Sequence, residues 1–91
     1  MKKLSEEEIR KYLKSLEGWE YKNNFIEKNF VFNDFKEAMF FINAVAFFAE
    51  KENHHPDINI VYNKVRLILN THTENNVTMK DINLAKIINN I

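Results

Sequence analysis

The sequence contains no cysteine, a single glycine, a single proline and a single tryptophan, and its formal net charge is zero. Each shortage narrows what the chain can do. Without cysteine there is no disulfide, no thiolate metal site and no cysteine nucleophile. The 13 basic and 13 acidic side chains leave no basic excess, so direct nucleic-acid binding is not expected. No apolar run approaches the ~20 residues that span a bilayer. The longest, Ala38 to Ala49, also carries Asn43. The start, Met1 to Glu8, is charged and lacks an apolar core, so no signal peptide is expected, no membrane association, and a cytoplasmic location by default. No linker, repeat or low-complexity tract divides the chain, and one domain spanning residues 1–91 is expected.

What is present is apolar. Such residues make up 45% of the chain, eight of them phenylalanine, which is enough for a packed core. Three helix starts share one local signature, a capping residue with an acid three positions on: Ser5 with Glu8, Asp34 with Glu37, Thr78 with Asp81. The first helix, about Ser5 to Ser15, has Ile9, Tyr12, Leu13 and Leu16 on one face, and Gly18 follows where a left-handed residue is often needed. The second, about Asp34 to Glu52, is apolar on nearly all sides, with Phe35, Met39, Ile42, Ala46 and Ala49 read as one stripe. It is expected to be the most buried element, and to be covered in part by another subunit. The alternative is that the other two helices cover it. The last helix runs from about Thr78 to Asn90, with Ile82, Ala85, Ile87 or Ile88, and Ile91 as its apolar set.

Two hairpins lie between these helices. Trp19 and Tyr21 alternate with charged residues, Asn23-Asn24 supplies a turn, and the return strand runs from Phe25 to Phe32. The second hairpin has Asp57 to Val61, a Tyr62-Asn63-Lys64 turn, and Val65 to His72. The fold class is therefore α+β, in the order α-β-β-α-β-β-α, with a four-stranded antiparallel sheet and three helices packed on one face.

The chemistry concentrates between Glu50 and Asp81. The chain has three histidines: His54 and His55 are adjacent, and His72 is the third. An imidazole both gives and takes a proton near neutral pH. Pro56 ends the second helix and is read as the turn that lets both neighbours face one site. Hairpin geometry returns His72 to the same end of the sheet, and strand parity places it opposite Val65, Leu67 and Leu69. All three imidazoles are thus expected together. A zinc site completed by Asp57 or Glu50 is the alternative, but adjacent histidines suit one tetrahedral ion poorly and no i, i+4 pair exists. Asp81 reads equally as a capping acid and Glu50 as a solvated helix residue. Trp19 reads as core, or as an indole that stacks on a flat heterocycle.

The run Glu50-x3-His54-His55-Pro56-x5-Tyr62-x9-His72-x8-Asp81 resembles the pattern of the pterin-4a-carbinolamine dehydratases, a family that includes the dimerisation cofactor of a homeodomain transcription factor. Gly18-Trp19, Phe30-x-Phe32, Tyr62-Asn63-Lys64-Val65 and Asp81-Ile82-Asn83-Leu84-Ala85 extend the resemblance over nearly the whole chain. It implies dehydration of 4a-hydroxytetrahydrobiopterin to quinonoid dihydropterin, in tetrahydrobiopterin recycling, with no metal and no organic cofactor. His54 and His72 would be the acid–base pair, and His55 would chiefly bind and orient substrate. The implied pterin contacts are Asn53, His54, His55, Asn70, Thr71, His72 and Thr73, with Glu50, Asp81 and Trp19 in support. A homodimer or homotetramer is implied too. A non-catalytic dimerisation or transcriptional-cofactor module on the same fold is the alternative function. Two departures stand out. Asn75-Asn76-Val77 replaces a loop that often carries glycine, and Thr73 stands where many members have an acid.

Overall fold

The computed structural model describes residues 2–91. Its elements are α1 (Glu6–Leu13), β1 (Glu20–Lys22), β2 (Phe25–Val31), α2 (Phe35–Glu52), β3 (Asp57–Val61), β4 (Lys64–Leu69), a 3-10 turn (His72–Glu74) and α3 (Met79–Asn89). The four strands form one antiparallel sheet in the order β1-β2-β4-β3. The expected fold class is what forms.

The caps explain where the helices begin. Ser5 and Glu8 bond reciprocally, and so do Thr78 and Asp81. Each pair satisfies two backbone donors that a helix start leaves without partners. At α2 the Asp34 side chain accepts from Glu37 N, but Glu37 reaches past it to Asn33. Left-handed backbone falls where sequence favours it at Gly18, Asn23, Asn53 and Asn75. Tyr62, with φ 54°, is the exception. It opens a two-residue turn, Tyr62-Asn63, one residue shorter than the expected loop, since Val61 pairs directly with Lys64.

One face of the sheet carries the core. Ile26, Val65, Leu67 and Leu69 are buried against Ile9 of α1, Ala38, Val45 and Ala49 of α2, and Ile82, Leu84, Ala85 and Ile88 of α3. Burial of this kind contributes ~25 cal/mol per Å² of apolar surface and is what holds the helices to the sheet. Two expectations about helices are corrected. The most buried helix is α3, not α2, and its Leu84 is core while Ile91 is exposed. The inward face of α2 is Ala38, Val45 and Ala49, with Phe41, Ile42 and Phe48 packed beside them; Phe35 and Ala46 of the expected stripe face outward. The small side chains of Ala38 and Ala49 let the helix approach its neighbours closely, with the larger Phe41, Ile42 and Phe48 filling the flanks. Phe40 and Phe47 remain 67% and 64% exposed, so α1 and α3 do not cover them.

The other face of the sheet is not covered by the helices and mixes polar side chains with Phe25, Val31, Val61 and Ile68. Glu27 at its centre is bound by Lys22 Nζ and Arg66 Nη2, each at 2.6 Å. The Lys22 bond, and after it Arg66, hold the Glu27 carboxyl below the usual range against the opposing effect of burial.

Candidate active site

A cleft of ≈ 280 Å³ opens at one end of the sheet. Two segments build it: Asn53–His55 after α2, and Asn70–Thr73 after β4. Lys80 in the first turn of α3 completes the lining. All three histidines therefore reach one cleft.

The first segment gets there through the end of α2. His54 N bonds Ala49 O and Asn53 N bonds Glu50 O, with Asn53 left-handed at φ 52°. This pair of bonds is a helix-terminating motif usually built on glycine. The reversal thus belongs to Asn53, where the sequence had assigned it to Pro56. The second segment leaves the ladder earlier than expected. β4 stops at Leu69, Thr71 makes an isolated bridge to Asn76, and His72 opens the 3-10 turn. His72 is exposed while Val65, Leu67 and Leu69 are buried.

His54 is anchored most firmly. Its Nε2 lies 2.5 Å from Oδ1 of Asp81, whose side chain is fully buried. Asp81 Oδ2 accepts from Thr71 Oγ1 at 2.7 Å and from Thr78 N at 2.9 Å. A carboxylate only accepts, so the direction of every proton is fixed. His54 Nε2 carries one, which leaves Nδ1 as the bare nitrogen of the neutral ring. Thr71 gives its single hydroxyl proton to Asp81, so Thr78 Oγ1, 2.7 Å away, donates to Thr71. The two oxygens of Asp81 thus do different work. Oδ2 caps α3, where the helix dipole also favours a negative charge, and Oδ1 holds the histidine.

His55 makes a parallel but solvated pair, with Nε2 2.5 Å from Glu50 Oε2 and side chains 56% and 78% exposed. The His72 ring has no hydrogen-bond or ion-pair partner among the described residues. Thr71 is buried and its hydroxyl is bonded within the protein, so it lines the cleft as support. Trp19 does not join the site: it is core, with Nε1 on Asn89 Oδ1 at 2.9 Å. Lys80 was not singled out from the sequence, where a lysine in an exposed first turn carries no distinguishing signal. Among the described residues no three His, Asp or Glu side chains converge as a metal-ligand set.

Comparison with known proteins gives one consistent answer. The family model described as pterin 4 alpha carbinolamine dehydratase matches residues 2–91. A protein of Sulfurisphaera tokodaii is 50% identical over 91 residues, covering 100% of this chain and 98% of its own length. One from Aquifex aeolicus is 42% identical, covering 100% and 92%. Both carry pterin-4-alpha-carbinolamine dehydratase as a provisional name. A crystal structure from Brucella melitensis, described as a transcriptional coactivator/pterin dehydratase, superposes with a TM-score of 0.94 at 38% identity, covering 98% of this chain and 97% of that one.

Proposed function

The chain belongs to the pterin 4 alpha carbinolamine dehydratase family, and from that premise we propose that it is a hydro-lyase that converts 4a-hydroxytetrahydrobiopterin into quinonoid dihydropterin and water, in the recycling of tetrahydrobiopterin. The observation that carries this reading is the meeting of His54, His55 and His72 in one cleft. In the reaction the C4a–O bond breaks and the hydroxyl takes a proton to leave as water. The N5 proton goes to a base, and the freed electron pair forms the C4a=N5 double bond. One acid and one base suffice, and each typically contributes 10²–10⁴-fold. His54 and His72 fill these roles, with Asp81 orienting His54 through Nε2 so that Nδ1 meets the substrate. His55, paired with exposed Glu50, binds and orients the ring. Asn53, Asn70 and Thr73 supply further polar contacts. The step balances without a metal or an organic cofactor.

The test supplies enzymatically generated 4a-hydroxytetrahydropterin and follows quinonoid absorbance, with and without chelator. Acceleration over buffer that resists chelation, and that falls about 10²-fold or more in His54→Ala or His72→Ala, is the expected outcome. No acceleration over buffer refutes the proposal.

Residues 1–91 act in this reading as one dehydratase-like domain, in the cytoplasm, as a homodimer or homotetramer. Phe40, Asn43 and Phe47 recur at i, i+3 and i+7 on the exposed side of α2, the spacing of a helix-to-helix seam. A single molar mass equal to the monomer in light scattering at micromolar concentration refutes the assembly. The coactivator half of the Brucella melitensis protein's description supports a second role as a dimerisation cofactor for a transcription factor. That role needs the assembled surface and none of the three histidines. A triple alanine variant that loses activity but keeps its oligomeric mass separates the two roles.

A further inference from the structure

One stripe of α2 has no cover within the chain. Lys36, Phe40, Asn43, Phe47 and Glu50 are all exposed. At 3.6 residues per turn they lie within about 80° of one another around the helix. Their alternating spacing of four and three is that of a seam between two helices. The two ends of the stripe are charged, and the charges stand the wrong way round. Lys36 lies in the first turn and Glu50 in the last, whereas the helix dipole favours acids at the start and bases at the end. Glu37 and Lys51, off the stripe, follow that preference.

A second α2 laid antiparallel on the first removes the conflict. With a two-fold axis at Asn43, each residue meets the one equally far on the other side. Lys36 then faces Glu50 of the partner subunit, and each charge lies beside the helix end that the dipole favours. Phe40 faces Ala46 of the partner subunit and Phe47 faces the partner's Met39, so each ring meets a small or a flexible side chain. An amide both donates and accepts, so the two Asn43 side chains bond each other at the centre. A single polar residue fixes the register of a coiled coil in the same way. Other arrangements lose this match. A parallel pair sets Lys36 on Lys36 and Glu50 on Glu50. A slip of one residue sets Lys36 against Lys51, or Glu50 against Phe35.

This stripe ends at the cleft. Glu50 Oε2 holds His55 Nε2, while Glu50 Oε1 has no partner among the described residues. Lys36 has no ion-pair partner among them either. We propose that a second copy of the chain packs its α2 antiparallel on this one in the register centred on Asn43, and that Lys36 of the partner subunit bonds Glu50 and thereby helps to hold His55, so that assembly and the cleft are joined through one carboxylate. A carboxylate accepts at both oxygens, so the lysine takes Oε1 without displacing His55 from Oε2. In the single chain Glu50 is 78% exposed, and a solvated pair of this kind holds weakly. Cover by the second helix and a second bond fix it. Lys36 is thus a positioning residue that acts across the interface on the imidazole that binds substrate. The inference deepens the assembly put forward above and rests on it; it does not rest on the reaction.

The test follows molar mass by light scattering in a dilution series, together with the ¹⁵N shifts of the His55 ring and the kinetics. Lys36→Glu and Glu50→Lys each turn both attractions of the pair into repulsions, and each should raise the dissociation constant about ten-fold or more. Mixing the two variants restores opposite charges at both ends and should return it to within about three-fold of the wild type, as should the double exchange in one chain. Lys36 lies about 21 Å along α2 from Glu50 of its own chain, at ~1.5 Å per residue, too far to reach its own His55. Lys36→Glu should nonetheless move the His55 ring signal to that of diluted, dissociated wild type, leave the His54 signal unmoved, and raise KM about two- to three-fold with kcat unchanged. A dissociation constant unmoved in both variants, a mixture that stays dissociated, or a His55 signal that ignores assembly overturns the proposal. A monomeric wild type overturns it together with the assembly. Absence of dehydratase activity overturns the reaction instead, because mass and ring shifts are read without turnover.

Discussion

Replacing Asp81 with asparagine keeps the shape of the side chain and changes only what its two terminal atoms offer. Oδ2 accepts two bonds, from Thr71 and from the backbone N–H of Thr78, while Oδ1 meets only His54. The amide has one oxygen and one nitrogen to distribute over these positions. Placing nitrogen at Oδ2 would point a donor at the buried Thr78 N–H and leave both unsatisfied, at about 1–3 kcal/mol each. Placing it toward His54 asks only that the imidazole move its proton, so this arrangement wins. Nε2 must then accept, and the proton shifts to Nδ1. Either catalytic role is lost, because a neutral ring protonated at Nδ1 has no free pair to act as a base toward substrate and no positive charge to act as an acid. Activity should fall about 10²–10⁴-fold. The fold should survive, because the cap keeps its acceptor. Neutral bonds replace charge-assisted ones, at a cost of about 1–2 kcal/mol, which lowers Tm by about 4–8 °C per kcal/mol in a domain of this size. Quinonoid absorbance measures the rate, and ¹⁵N shifts of the His54 ring report which nitrogen is protonated. A folded Asp81→Asn protein that keeps kcat within about three-fold would refute the reasoning.

Other changes discriminate among neighbouring groups. Glu50→Gln touches a pair that is mostly exposed, so kcat/KM should change by less than about three-fold and Tm hardly at all. A large loss in the same assay would mean that His55 does more than bind. Thr71→Val removes the hydroxyl between Asp81 and Thr78 and should cost about 1–3 kcal/mol in urea denaturation, largely restored by Thr71→Ser; equal loss in both variants would assign the effect to packing. Glu27→Gln removes a carboxyl whose folded value is lowered by Lys22 and then Arg66. Such a group stabilises the fold above its unfolded value of about 4.3. That stability is lost as pH falls through the lowered folded value. The gap between wild type and variant should be full at neutral pH and close in acid. A gap constant between pH 7 and pH 3 would contradict it.

Much of this molecule was legible because short-range rules settle it. Capping pairs marked the helix starts, and strand parity put Val65, Leu67 and Leu69 on one side of β4. Asp81 was legible as a cap, and its two oxygens bond Thr78 N and His54 Nε2 respectively. The phase of α2 was illegible for a physical reason. When almost every position is apolar, periodicity carries no direction, and only packing against the sheet and α3 sets the phase: Ala38, Val45 and Ala49 in, Phe40 and Phe47 out. Pro56 drew the turn assignment because its constraint is visible in sequence, whereas the left-handed Asn53 that makes the reversal is one asparagine among many. The register that sets β2 beside β4 depends on pairing between strands far apart in the chain, which no local pattern records.

The turn at Tyr62-Asn63 lies at the opposite end of the hairpin from the cleft, and loops in such places ordinarily tolerate insertions. This one should not. Asn63 also ties the turn to Phe32 through its own side chain and backbone. One added residue would slide β4 against β3 by a single step and send alternate side chains through the sheet. Leu67 would surface and Ile68 would sink. His72 and His54 sit on the two flanks of this hairpin, so their meeting depends on a residue count kept about 20 Å away, at ~3.3 Å per residue along β4. Sequence drift can therefore alter exposed side chains of this hairpin more readily than the length of its tip, which is bound to the chemistry.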